Sequence, residues 1–242
     1  MTETFAALLF AHVLADFVLQ TTWMANAKGE RHAPALALHV GTVGVISALA
    51  VGAVTGVAWL AIAALTLVHL ATDIAKSLAP KGLGSFLADQ AAHLVSLVAV
   101  AALWPGLWSA GIWAAFDWLP ALMALAAGFV LATRAGGFVL GMLMAPWGDV
   151  GLPGLPNGGR IIGLLERGLI FVLILTGQAE GIGFLIAAKS VLRFGTVKEE
   201  ARLSEYVIIG TLASFGWAIM VATGTVALMS ALPPLGIPDL TP

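Results

Sequence analysis

Four of the five histidines lie inside apolar stretches: His12, His39, His69 and His93. Three of them have a carboxylate at i, i+4 spacing: His12 with Asp16, His69 with Asp73, and Asp89 with His93. On a helix this spacing puts both side chains on one face. Imidazole nitrogen and carboxylate oxygen together are the ligand set of a divalent cation. The chain has no cysteine, so thiol catalysis, disulfides and thiolate metal sites are excluded. An all-N/O set suits Zn²⁺, Mn²⁺ or Fe²⁺ better than Cu⁺. The expected metal ligands are His12, Asp16, His39, His69, Asp73, Asp89 and His93, in full or in part. The remaining histidine, His32, falls in a polar stretch and is read as uninvolved.

The pairs repeat. Ala11-His12-Val13-Leu14-Ala15-Asp16 is echoed by Val68-His69-Leu70-Ala71-Thr72-Asp73, and each is followed on the next helix by a second histidine, His39 or His93. Each unit is therefore a helical hairpin presenting His, Asp and His. Two such hairpins starting on the same side form a parallel repeat with a pseudo-twofold axis along the membrane normal. Asp89 has no counterpart in the first hairpin. Neighbouring polar groups share the faces: Gln20 lies four residues past Asp16, Lys76 one turn past Asp73, and Gln90 beside Asp89. Asp89 is the candidate general base, Lys76 the candidate contact for an anionic oxygen, and Gln20 the group that holds a ligand's second atom.

The elements that position these residues follow from composition. The 242 residues are 60% hydrophobic and 10% charged, with a mean hydropathy of +1.00. A soluble domain carries about 25% charged residues. The fold class is thus an all-α integral membrane protein of about seven to eight transmembrane or half-inserted helices, each crossing taking roughly 20 residues. Apolar segments are expected at about 3–20, 35–53, 57–76, 85–104, 118–145, 160–177, 181–194 and 205–231. The segment 181–194 is short for a crossing and reads as tilted, half-inserted or re-entrant. The segment 118–145 is long and carries Arg134-Ala-Gly-Gly, a candidate break. Residues 1–105 form the repeated half and 106–242 a C-terminal helical half, within one integrated membrane domain.

With eight crossings, all eleven Lys and Arg fall on or toward one face. Lys28 and Arg31 follow the first segment, Lys76 and Lys81 the third, and Arg193, Lys198 and Arg202 the seventh. The positive-inside rule makes that face cytoplasmic and puts both termini outside, with Glu3 near one and Asp239 near the other. The expected location is a bacterial cytoplasmic (inner) membrane. The N-terminus lacks a basic leader region and Asp16 interrupts the first apolar stretch, so this stretch is read as a retained helix. No basic run points to nucleic acid. The expected partners are membrane lipids, with oligomerisation left open.

The second half lacks histidine but repeats the polar bias. Glu166 and Arg167 lie inside one segment, Lys189, Ser190 and Arg193 close the next, and Glu205 opens the last. Arg167, Lys189, Ser190, Arg193 and Glu205 are therefore candidates for binding an anionic substrate against the same cytoplasmic cavity. The competing reading is internal ion pairing of Arg167 and Arg193 with Glu166 and Glu205. For the histidines the competing readings are interhelical hydrogen bonding and a proton relay. Seven ionisable groups at one depth weigh against simple helix glue, because intramembrane charge is costly and usually functional.

The strings His12-x3-Asp16-Phe17-x2-Gln20, His39, His69-x3-Asp73-x2-Lys76 and Asp89-Gln90-x2-His93 resemble a family of bacterial and phage multi-pass membrane proteins catalogued as a domain of unknown function. Its longer members are similar at Ile162-Gly163-Leu164-Leu165-Glu166-Arg167, Ala188-Lys189-Ser190-x2-Arg193-Phe194 and Glu205-Tyr206-x3-Gly210-Thr211, so the resemblance runs over nearly the whole chain. It implies the multi-pass fold and no established activity. A more distant likeness is to membrane-bound proteins assigned as metal-dependent hydrolases, which also place His and Asp at helix ends.

The leading expectation is a cytoplasm-facing, metal-dependent hydrolase of a lipid or lipid-linked anionic ester or phosphoester. A metal-ion or proton transporter or channel would use the same residues. Against it, the polar layer is off-centre and the outer halves of the second to fourth segments are plain Ala, Val and Leu, whereas transport sites lie near the midplane. A structural or assembly factor held together by the polar cluster is the third reading.

Overall fold

The structure, a computed structural model, describes residues 1–148, 155–194 and 201–236, with the side chains of 191–194 and 201–203 outside the description. Every regular element among these residues is helical: α1 (Thr2–Leu14), extended by a π-helical turn (Ala15–Leu19), then α2 (Thr22–Gly29), α3 (Ala33–Val51), α4 (Gly56–Leu78), α5 (Leu83–Leu103), α6 (Leu119–Val130), a second π turn (Leu131–Ala135), α7 (Gly136–Met144), α8 (Gly158–Leu175), α9 (Gly181–Phe194) and α10 (Ala201–Ser230). Six stretches among the described residues are long and apolar enough to cross a membrane: Thr2–Leu19, Ala33–Val51, Gly56–Leu78, Leu83–Leu103, Leu119–Trp147 and Ser204–Ser230. The protein is an all-α membrane protein. The 14 residues of α9 extend only about 21 Å, short of the roughly 30 Å hydrocarbon layer. Helix α8 has the length, but Arg160, Glu166 and Arg167 all lie within it.

Contacts divide the chain into two compact units, built chiefly from residues 1–127 and 128–227. In the first, α1 packs on α3, α3 on α4, α4 on α5, and α5 back on α1. The result is a four-helix ring in which α1 stands across from α4 and α3 across from α5. A twofold repeat of hairpins produces this order, with the two His-x3-Asp helices on one diagonal.

Local sequence sets the ends. Thr21 and Thr55 accept the amide protons of Met24 and Ala58 at the starts of α2 and α4, each satisfying one of the donors a helix N-terminus leaves bare. Helix α3 ends at Gly52, whose φ of 65° favours a residue without a Cβ. The chain after α5 folds back onto this end. Gly111 lies so close that an added Cβ would fall on the Val51 carbonyl oxygen, and the Trp113 indole N–H donates to Leu49 O at 2.7 Å. At the same end Thr4 donates to Pro105 O and accepts from the Trp108 amide.

That half of the ring is filled by an apolar cluster including Leu8, Val51, Ile62, Leu65, Leu97 and Val100. The outward faces are equally apolar: Leu60, Leu67, Val95 and Leu103 are 62–69% exposed. Water would penalise such a surface, whereas lipid tails solvate it. With lipid on the outside, apolar packing gives little net drive for helix association, and polar contacts in the other half of the ring carry more of the specificity.

The second unit is pinned by Arg167. At the π turn before α7 the Thr133 carbonyl, which also accepts from the Gly136 amide, accepts from both Nε and Nη2 of Arg167, at 3.2 and 2.9 Å, while Nη1 donates to Ser214 Oγ at 3.2 Å. Gly136 and Gly163 make room for the guanidinium: a Cβ on either would come within 3.0 Å of it or closer. At Arg134 the helix does not break but widens, and it runs on to Met144. The widened turn is a common way for a helix to present a carbonyl sideways.

Candidate metal centre

The ring brings together all seven His and Asp residues singled out from sequence. Helix α1 and its π turn supply His12 and Asp16, α3 supplies His39, α4 supplies His69 and Asp73, and α5 supplies Asp89 and His93. All lie in the half of the ring away from the apolar cluster. His12, His39, His69, His93, Asp73 and Asp89 are buried, and the Asp16 side chain is 7% exposed. Asp16 sits in the π turn, where the Gln20 amide reaches back five residues to Ala15 O. The turn rotates Gln20 relative to a regular helix, yet its side-chain amide still meets the His39 ring, at 3.3 Å from Nδ1.

Four atoms converge at the centre. His39 Nε2 and His69 Nε2 are 3.1 Å apart. His39 Nε2 is 3.4 Å from Asp16 Oδ1 and 3.5 Å from Asp73 Oδ2, and His69 Nε2 is 3.6 Å from each of the same two oxygens. Asp16, His39 and His69 each offer one ligand atom within 4.8 Å of the others, and Asp73 Oδ2 lies beside both nitrogens. Ligands about 2.0–2.2 Å from a tetrahedral ion are separated by about 3.3–3.6 Å. Asp16 Oδ1 and Asp73 Oδ2 are buried and accept no well-aligned hydrogen bond. Buried carboxylate oxygens without partners are expensive, and one divalent cation among the four atoms would satisfy them all. The residues present fit a divalent metal ion.

The surroundings hold the donors in place. Lys28 Nζ donates to Asp73 Oδ1 at 2.8 Å from a buried position. Lys76 Nζ and Gln90 Nε2 donate to Asp89 Oδ2 at 2.6 and 3.0 Å. Lys76 also lies over the Phe86 ring, 5.1 Å from its centroid. His12 Nε2 lies 3.4 Å from Gln90 Oε1, and His12, His69 and His93 each offer a ring nitrogen within 4.8 Å of the others. Lys76 is thus committed to a carboxylate within the cluster and does not simply point away from it.

The spacing gives Lys28 no place in the cluster, yet the connection after the first segment contains α2, which packs against α3 and α4 and delivers Lys28 to Asp73. The signal available was Thr21, a good N-cap residue one turn before Met24. His32 is exposed, against Trp23.

The second-half candidates lie in the other unit. Arg167 is buried and bonded as described above. Lys189 Nζ pairs with Glu166 Oε2 at 2.7 Å, so the internal ion pairing expected for Glu166 occurs, with Lys189 as its partner. The Ser190 hydroxyl donates to Ile186 O in its own helix, and Glu205 is exposed. The side chains of Arg193 and Arg202, together with Lys198 and Asp239, lie outside the described residues.

Residues 4–115 match the family model described as "Protein of unknown function (DUF3307)". The match takes in the four helices of the ring, every His and Asp of the cluster, Lys28 and Lys76. It ends before α6, so the similar stretches of the second half fall outside it. No curated protein and no solved structure matches the chain.

Proposed function

We propose that the chain is a divalent-metal-dependent hydrolase working within the membrane on a lipid or lipid-linked anionic ester or phosphoester. The observation that carries this reading is the set of separations among His39, His69, Asp16 and Asp73, 3.1–3.6 Å, with two of the carboxylate oxygens unpartnered. Zn²⁺, Mn²⁺ and Fe²⁺ all suit this set of nitrogen and oxygen donors.

An ion so held would supply Lewis acidity and a more acidic bound water. In hydrolysis, the oxygen of water bonds to the acyl or phosphoryl centre, the bond to the leaving oxygen breaks, and a proton of the water ends on that oxygen. Lys28 and Lys76 bring two positive charges to the edge of the cluster, where an anionic headgroup would meet them. The site opens, in this reading, toward the cytoplasm, which is the face that the eleven Lys and Arg mark in a bacterial inner membrane with both termini outside.

A transporter would use the same ligands, and the hairpin repeat favours it. The apolar cluster that fills the other half of the ring favours access from one side only. The test uses purified protein in nanodiscs of native lipid extract, with and without Zn²⁺ or Mn²⁺, and lipid products followed by mass spectrometry. The proposal expects metal-dependent release of a headgroup or acyl product, lost on His39→Gln. Metal flux in proteoliposomes without any turnover would replace it with the transport reading.

A further inference from the structure

We propose that the cluster holds a second divalent cation on Asp73 Oδ1, Asp89 Oδ1 and His93 Nε2, with Asp73 bridging the two ions, and that the pair receives a phosphoester. This rests on the metal reading above and goes beyond it in the number of ions and the class of substrate.

His93 has an unusual position for a buried histidine. Its residue is 1% exposed, yet neither ring nitrogen has a hydrogen-bond partner. Asp89 Oδ1 is likewise buried and unpartnered, and it stands 3.4 Å from His93 Nε2. The two atoms approach closely without the alignment of a hydrogen bond. The third donor, Asp73 Oδ1, is 3.9 Å from His93 Nε2. One ligand atom from each of Asp73, Asp89 and His93 falls within 4.8 Å of the others. Two buried residues pointing unsatisfied atoms at one region describe a cation site better than they describe helix glue, which would pair those atoms.

Asp73 is placed to bridge. Its Oδ2 faces His39 and His69, while its Oδ1 faces His93 and accepts from Lys28. A carboxylate oxygen has two lone pairs, so Oδ1 can serve both. Asp89 is oriented from behind: Lys76 and Gln90 hold Oδ2 and leave Oδ1 toward His93. Such outer partners are what fix the direction of a ligating carboxylate. The rings of His69 and His93 stack with centroids 4.0 Å apart, setting the two donor sets side by side. Two-ion centres space their ions about 3.5–4 Å.

The two subsites differ in a way that assigns their roles. Four protein atoms close the first. Three protein atoms form the second and leave a coordination position for water or a substrate oxygen. Charge then narrows the substrate. Three aspartates against two lysines and two divalent ions leave an excess of three positive charges. A phosphate group, carrying one or two negative charges, offsets this far better than a neutral carboxylic ester does.

The experiment is a metal count on the purified full chain, stripped with chelator and reloaded with Mn²⁺ alone, combined with low-temperature electron paramagnetic resonance. Wild type is expected to bind two Mn²⁺ per chain with an exchange-coupled spectrum. His93→Gln and the near-isosteric Asp89→Asn are expected to bind one, with the six-line spectrum of an isolated ion. One ion in wild type overturns the second site and leaves the first. No ion overturns both. Two ions in both variants overturn the ligand assignment. The wild-type count stands even if a variant fails to fold. Inorganic phosphate should alter the coupled spectrum, and an unchanged spectrum would remove the phosphoester assignment.

Discussion

The Nε2 atoms of His39 and His69 lie 3.1 Å apart, and both face the same two carboxylate oxygens, Asp16 Oδ1 and Asp73 Oδ2. A single proton shared between the nitrogens would account for their own approach. It would leave both oxygens buried and unpartnered, at a cost of several kcal/mol in an apolar surrounding. One cation accounts for all four atoms at once.

Metal should therefore stabilise the fold. A ligand at about 100 times its dissociation constant adds about 2.7 kcal/mol to the folded state. Thermal denaturation in detergent is expected to show a higher midpoint with Zn²⁺ or Mn²⁺ than with chelator, and His39→Gln should abolish the difference. Equal midpoints for wild type in both conditions would count against a bound ion.

Lys28 and Asp73 form a buried ion pair at 2.8 Å. Removing one partner of such a pair typically costs about 3–5 kcal/mol, because the other charge is left alone. Lys28→Met is expected to lose stability of this order in the metal-free protein and clearly less when metal is loaded, since the ion takes over part of the neutralisation of Asp73. Denaturation curves with and without metal check this. The same loss in both states would mean that Lys28 acts independently of the centre.

The Gln20 side-chain amide lies against the His39 ring, 3.3 and 3.4 Å from its two nitrogens. In the proposed centre this contact would orient a ligand. Outer-shell changes of this kind cost about 10–100-fold in metal affinity. Gln20→Ala should weaken binding by that factor at unchanged stoichiometry, measured by competition with a chelating dye. An unchanged affinity would make Gln20 a packing residue.

In the second unit, Gly136 packs against Arg167 and Trp217. A Cβ there would lie 2.7 Å from Trp217 Cδ1 and 2.9 Å from Arg167 Nε. Overpacking of this type costs about 1–3 kcal/mol. Gly136→Ala is expected to lower the thermal midpoint while leaving metal content per folded chain unchanged, because every proposed donor belongs to the first unit. Preserved stability would show that the guanidinium can shift at little cost.

The sequence carried the grouping of these histidines and aspartates because their pattern is local. His12 and Asp16, His69 and Asp73, and Asp89 and His93 sit one turn apart, and helical periodicity alone aligns each pair. The apolar runs carried the helices for the same reason. What it did not carry was non-local. Lys28 reaches Asp73 through α2, a short helix whose placement depends on packing against α3 and α4. The partner of Glu166 is Lys189, from the following helix, and nothing in the spacing of either selects it over Arg167. The π turn at Ala15–Leu19 redirects Gln20, and periodicity assumes a regular helix there. Which oxygen of Asp73 faces which histidine is a property of the closed ring.

The most direct test of the central claim is the anomalous difference map of the Zn²⁺-loaded protein, recorded at the zinc edge. The account predicts a peak about 2.0–2.2 Å from His39 Nε2, His69 Nε2, Asp16 Oδ1 and Asp73 Oδ2. A map without density at that point, with the four atoms joined to one another or to ordered water by hydrogen bonds, would contradict it.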